Sequence, residues 1–159
     1  MLELDGTDGG GQLVRTALTL SALDGRPFRM ANVRGDRPNP GLKRQHLACV
    51  DVLAALVDAD VSGAEIGSET LEFDPGDGVD DVPPDALDDT SPDPTDLEID
   101  VGTAGSVTLV ADTVLPLAAR LDAPVDARLV GGTDVKWSPP VDYLRHVKLP
   151  LLEACGLDA

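Results

Sequence analysis

Three consecutive glycines, Gly9, Gly10 and Gly11, run into Gln12 and, three residues on, Arg15. Glycine lets the backbone turn its N–H groups toward a ligand, and a helix starting there adds partial positive charge. Such a segment can cradle a phosphate, although its spacing is neither that of the P-loop nor that of the dinucleotide fingerprint. The local sequence equally admits a plain tight turn. A second group is denser in charge: Arg34, Arg37, Lys43 and Arg44 fall within eleven residues on a Gly/Pro loop that feeds a helix containing His46. Four cations so placed suit an anion, against the alternative of a solvated basic loop; His46, inside the helix beside Leu47, reads as structural. A third group is the loop from Gly131 through Lys136, the only Trp (Trp137), Pro139 and Pro140 to the only Tyr (Tyr143). Those rings could frame a flat ligand such as a nucleobase or simply pack among themselves.

The elements that must position these groups follow from periodicity. Leu2 and Leu4 suggest a short edge strand, and Leu13, Ala17, Leu18, Leu20 and Leu23 fall at helical spacing over 12–23, closed by Asp24-Gly25. A strand over 28–33, a basic loop over 34–40, a helix over 41–59 and strands over 61–66 and 69–73 complete a β-α-β-α-β-β order. Residues 74–96 are rich in Asp and Pro and read as a surface loop or linker; their spacing fits no calcium loop. The pattern then restarts with a strand over 97–101, a small-residue turn over 102–105, and a helix over 107–121 that has Ser106 as N-cap and is kinked or cut by Pro116. A strand over 125–130, a loop over 131–139 and a helix over 140–154, opened by proline, follow. The expected organisation is thus a first unit over 1–73, a linker over 74–96 and an incomplete second unit, β-α-β-α, over 97–159. A unit without its closing strands leaves sheet edges unpaired, so the sequence is expected to be a fragment.

The chain of 159 residues has 42% hydrophobic content, enough for a core built from Leu, Val and Ala. No apolar run approaches the roughly 20 residues that span a bilayer, and the acidic start is not a secretory signal, so a cytoplasmic protein without a membrane partner is expected. Cys49 and Cys155 stand far apart and are expected to be reduced, buried thiols. The net charge of -17 argues against a nucleic-acid partner taken alone, but residues 1–60 hold seven of the twelve Lys+Arg against eight of the 29 Asp+Glu. The excess acid therefore lies downstream of the basic segment. Asp-rich acidity of this kind suits concentrated salt, where screening blunts repulsion between carboxylates.

Four ordered stretches, DGTDGGGQLVRTALTLSALDGRPF, VRGDRPNPGLKRQHL, GTAGSVTLVADTVLP and GGTDVKWSPPVDYLRHVKLPLL, resemble RNA 3'-terminal phosphate cyclases. The resemblance covers nearly the whole chain except the acidic segment, and its source is expected to be a halophilic archaeon. It implies an α+β fold of repeated β-α-β-α-β-β units, shared with enolpyruvyl transferases. It also implies an ATP- and divalent-metal-dependent (Mg2+ or Mn2+) conversion of an RNA 3'-phosphate end into a 2',3'-cyclic phosphate. In the family a histidine is adenylylated, AMP passes to the terminal phosphate, and the neighbouring 2'-hydroxyl displaces it. Carried over by position, Gln12, Arg15, Arg34, Arg37, Lys43 and Arg44 hold RNA or ATP phosphates, Asp112 contacts nucleotide, and Pro140 and Tyr143 lie at adenine.

Three departures stand out. The glycine loop is shorter than usual, with Asp8 in place of a metal-binding Glu. Asp112 replaces the usual Gln and brings a negative charge. The nucleophilic histidine belongs to a C-terminal motif that has no match here, so no catalytic residue is expected in this chain, which is expected to be inactive alone. The competing expectation is a non-catalytic cyclase-like protein that binds RNA or assists ribosome assembly.

Overall fold

A computed structural model of the chain describes residues 1–81, 96–121 and 125–157. It is a mixed α+β protein, with a four-stranded sheet in the first half and a two-stranded sheet in the second. Strand β1 (Leu2–Asp5) pairs in parallel with β2 (Phe28–Ala31), and helix α1 (Gly11–Asp24) makes the crossover between them. Helix α2 (Arg44–Val57) leads into β3 (Asp60–Ser62) and β4 (Leu71–Asp74), and the sheet order is β1-β2-β4-β3. In the second half, β5 (Asp96–Ser106) pairs in parallel with β6 (Asp126–Gly132), joined through α3 (Val107–Ala118).

Alternation decides which way the first sheet faces. Phe28 and Met30 on β2, with Leu71 and Phe73 on β4, point inward, and the chain's two Phe rings meet across the strands at 6.1 Å. On the opposite face Arg29 bridges Glu72 at 3.0 Å and Glu3 at 3.3 Å. Helix α1 buries Val14, Leu18 and Ala22 and ends at Gly25 in the left-handed conformation, φ 62°. Helix α2 is buried more widely than a one-faced helix, through Ala48, Cys49, Val50, Val52, Leu53, Leu56 and Val57. The reason is its surroundings, since it packs on α1 and also on β5 and α3. One hydrophobic core consequently runs from Val14 and Phe73 through Leu53 to Val101, Val110 and Leu117.

Several boundaries differ from those read in the sequence. Helix α2 starts at Arg44 rather than at 41, because Gly41 has φ 75° and a Cβ there would collide with the Gly67 carbonyl, while Leu42 is buried as an anchor. Strand β3 stops at Ser62 because Gly63, φ 79°, turns the chain where a Cβ would meet the Thr70 carbonyl at 2.5 Å. Residues 102–105 do not form a turn; they belong to β5 and bulge out of register between Asp100 and Ser106. Ser106 does precede α3, but its hydroxyl bonds Thr108 Oγ1 at 2.7 Å instead of capping the helix. Helix α3 outlasts Pro116 by only two residues.

The last helical segment, 141–154, carries a π turn at Leu144–Lys148 just before Pro150, which cannot donate the N–H that a regular α-turn there requires. None of its residues is buried, and Cys155 beyond it is exposed, contrary to expectation, while Cys49 is buried as expected. Within the expected linker, Asp74 closes β4 and Gly78–Asp81 forms a 3-10 turn whose Val79 joins the core; residues 82–95 lie outside the described residues. Among the described residues no helix is long and apolar enough to cross a membrane.

Candidate functional site

The glycine segment owes its shape to a side chain ahead of it. The Asp5 carboxylate accepts from the Thr7 N–H at 2.9 Å and the Thr7 hydroxyl at 2.6 Å, and Asn32 Nδ2 donates to it at 3.3 Å. Those hydrogen bonds, the Thr7 hydroxyl first, hold the Asp5 carboxyl below its ordinary pKa. The chain then reaches Gly10 in an extended conformation, and α1 opens with no side chain capping its first turn and no acidic residue in it. The leading N–H groups of α1 therefore lack a side-chain acceptor at the point where Gly11 and Gln12 border a cavity of ≈ 840 Å³.

Five cations line that cavity: Arg15 from α1, Arg34 from the loop after β2, Lys43 and Arg44 at the start of α2, and Lys136 from the loop after β6. Among the described residues no Asp or Glu lines it. Among the described residues none of the five makes an ion pair with a carboxylate. In a chain of net charge -17, this concentration of unneutralised positive charge sets up a strong local field for anions.

Arg15 is only 9% exposed, and burial pushes its guanidinium pKa down. Gln12 holds it in place: Gln12 Oε1 accepts from Arg15 Nη2 at 2.8 Å while Gln12 Nε2 donates to Thr16. Gln12 is thus a positioning group as much as a lining one. Arg34 has φ 56°, and its Nη1 donates to the carbonyls of Asn39 at 2.9 Å and Gly41 at 2.8 Å, fastening the loop that carries it. Burial and then repulsion from Arg37 lower the pKa of Arg34.

His46, read from sequence as structural, is buried at 5% exposure and also borders the cavity. Its Nδ1 accepts the Lys43 backbone N–H at 3.0 Å, and a Cβ on Gly11 would collide with its Nε2. Burial, followed by the charges of Arg34, Arg15 and Lys43, lowers its pKa to about 4. A neutral imidazole that accepts at Nδ1 carries its proton on Nε2, so His46 presents an N–H donor beside the start of α1. The signal available in sequence was position: the third residue of a helix is where a side chain can reach back to the N-cap backbone.

The remaining expected site residues lie outside this cavity. Arg37 is exposed, with Nη2 3.4 Å from where a Cβ on Gly10 would stand, so it flanks the glycine segment from outside. Asp112, on α3, borders a smaller cavity of ≈ 290 Å³ that shares Gln12 and Arg15, and Lys148 pairs with it at 2.5 Å. The negative charge that distinguishes Asp112 from the expected Gln is thereby matched by a cation. Pro140 is the N-cap of the last helical segment and Tyr143 is 46% exposed; neither borders either cavity. Trp137, from the same loop, does border the larger one. Asp8 is exposed, and no group of three His, Cys, Asp or Glu side chains is gathered among the described residues. The described side chains around the cavity thus suit a polyphosphate, and among the described residues none form a metal cage by themselves.

A cationic cavity at a glycine-led helix start, within a mixed α+β body, has the chemistry to receive a phosphate. The sequence model of RNA 3'-terminal phosphate cyclase matches residues 7–159, and the chain belongs to that family. Named RNA 3'-terminal phosphate cyclases similar to it include that of Halobacterium salinarum (strain ATCC 29341 / DSM 671 / R1), 52% identical over 98% of this chain and 45% of the relative. That of Metallosphaera sedula is 46% identical over 99% and 43%, and that of Saccharolobus islandicus (strain L.S.2.15 / Lassen #1) is 45% identical over 100% and 43%. The chain therefore spans less than half the length of these relatives.

Proposed function

We propose that this chain supplies the phosphate- and nucleotide-binding part of an ATP-dependent RNA 3'-terminal phosphate cyclase. The observation that carries the reading is the cavity lined, among the described residues, by five cations and no carboxylate in a strongly acidic chain. Arg15, Arg34, Lys43 and Arg44 neutralise the phosphates brought together in the reaction, and the N–H groups opening α1, with His46 Nε2, donate to oxygens that point inward. Arg37 meets the strand outside the cavity. ATP, when bound, supplies the leaving group that a phosphate oxygen lacks. This chain's residues hold the acceptor phosphate and limit its motion while the 2'-hydroxyl approaches. Asp8 stands near phosphates that can complete the coordination of a Mg2+ or Mn2+ ion, which binds through one or two carboxylates plus substrate oxygens. Pro140 and Tyr143 belong to the adenine side of the site, and Asp112, neutralised by Lys148, lies beside it.

The fold supports a companion reading. The β-α-β-α order over 1–57 recurs over 96–154, with parallel first and second strands in both, as two units of one repeat would have. Units over 1–73 and 97–159, joined by the acidic segment 74–96, are the corresponding division. The protein works in the cytoplasm of a halophilic organism.

Neither histidine of the chain suits a nucleophile: His46 is buried with Nδ1 engaged, and His146 lies in the π turn outside both cavities. That observation also favours a second reading, an RNA-binding or ribosome-assembly role without adenylylation.

Binding of two otherwise identical short RNAs, ending in 3'-phosphate and 3'-hydroxyl, separates phosphate capture from general RNA affinity. The 3'-phosphate RNA is expected to bind at least tenfold more tightly, and Arg15→Ala to remove most of that difference. Equal affinities would contradict the reading. Incubation with labelled ATP and Mn2+ is expected to leave no labelled protein band.

A further inference from the structure

The loop that closes the cavity on its β6 side presents its largest side chain to solvent. Trp137, the chain's only tryptophan, is 90% exposed although it is the most costly side chain to leave in water. Its backbone is left-handed, φ 71°, a conformation that bulky residues rarely adopt and that persists only where the surroundings enforce it. The surroundings here are specific. The Val141 N–H closes the loop on the Thr133 carbonyl at 2.8 Å, and Ser138 donates through N–H and hydroxyl to the Val135 carbonyl at 3.1 and 2.7 Å. Thr108 Oγ1, at the start of α3, donates to the Pro139 carbonyl at 2.7 Å. The indole is therefore held out on a fastened loop, and Lys136 Nζ sits 5.1 Å from its ring centroid. Both residues border the cavity that Arg15, Lys43 and Arg44 make cationic.

An exposed aromatic ring beside a track of unpaired cations matches the requirements of a single nucleotide or strand end: the phosphate enters the charged cavity and the base lies on the ring. We propose that Trp137 is a stacking platform for a nucleobase whose phosphate occupies this cavity. The proposal rests on the phosphate reading of the cavity and adds a second contact, to the base. Lys136, over the ring, carries positive charge to the phosphate on that nucleotide's outer side. The base can come from the RNA end or from a free nucleotide.

Because Trp137 is the sole tryptophan, its intrinsic fluorescence reports the contact directly. A short RNA with a 3'-phosphate, the same RNA with an abasic terminal residue, ATP and pyrophosphate are titrated against the 159-residue chain. The intact RNA is expected to quench the emission and to bind roughly 5- to 100-fold more tightly than the abasic one. Measured by calorimetry, because both variants lack the fluorescent reporter, Trp137→Ala is expected to erase that preference and Trp137→Phe to keep most of it, with circular dichroism of both unchanged. Quenching by ATP but not RNA assigns the base to the nucleotide and also supports the platform. If pyrophosphate and both RNAs bind with no base-dependent quenching or preference, the platform is wrong while the phosphate site stands. If neither pyrophosphate nor RNA binds, both readings fall.

Discussion

At the residue scale, charge was easier to read than geometry. Arg15 stands out because it follows three glycines, and Arg34, Arg37, Lys43 and Arg44 because cations crowd a short glycine- and proline-containing stretch; all but Arg37 border one cavity. Sequence spacing could not show that Gln12 bonds Arg15, that Arg34 also ties its own loop, or that Lys148, 36 residues away, neutralises Asp112. Nor could it show His46 facing the start of α1, which depends on how α2 packs. His46 gives a pH prediction. Its folded pKa, about 4, lies below the ordinary 6.5, so between these values the unfolded chain takes up a proton that the folded one refuses. Stability from this group is complete above pH 6.5, declines as pH falls, and levels off below about 4, for a total on the order of 3 kcal/mol. His46→Gln keeps an acceptor for the Lys43 N–H but cannot titrate. In denaturant melts, wild type should lose stability relative to this variant between pH 6.5 and 4. Parallel pH profiles would show that His46 is not buried neutral.

At the scale of elements, the long periodic segments were legible and the glycines within them were not. Helix α1 was expected over 12–23 and spans Gly11–Asp24, since its apolar spacing and closing Asp-Gly are local signals. The start of α2 and the end of β3 were misplaced because Gly41 and Gly63 obey distant contacts, with Gly67 and Thr70 respectively. The stretch 102–105 looked like a turn for a similar reason: its small residues serve a bulge in β5, where a Cβ on Gly105 would meet the Val101 carbonyl at 2.5 Å. Gly41 is the sharpest case for a test, because it sets the loop that delivers Lys43 and Arg44. Gly41→Ala should cost about 2 kcal/mol or more in chemical denaturation, from strain at φ 75° and the collision with Gly67. A loss below about 0.5 kcal/mol would mean that the loop relaxes freely.

At the scale of the whole molecule, composition and site pull in opposite directions. The net charge of -17 disfavours anions at long range, whereas the five cations lining the cavity favour them at close range. Salt near or above 1 M shortens the screening length to about 3 Å, which suppresses the global repulsion more than the close contacts. Thermal stability of the chain should therefore rise steeply as salt increases from about 0.1 M to 2 M, and a flat dependence in thermal melts would remove the halophilic reading. The mixed α+β class and the order of elements were legible from periodicity; the joining of the two halves through α2, β5 and α3 in one core was not, because it depends on contacts between segments far apart in sequence.

Calorimetric titration with pyrophosphate at fixed salt bears most directly on the cavity as a phosphate site. Wild type should bind one pyrophosphate, and Lys43→Ala/Arg44→Ala and Arg15→Ala should each weaken binding about tenfold or more. Arg128→Ala, which removes an exposed cation paired with Glu98 on the outer face of β6, should leave it unchanged. Equal weakening by all three variants, or no binding by the wild type, would contradict the assignment.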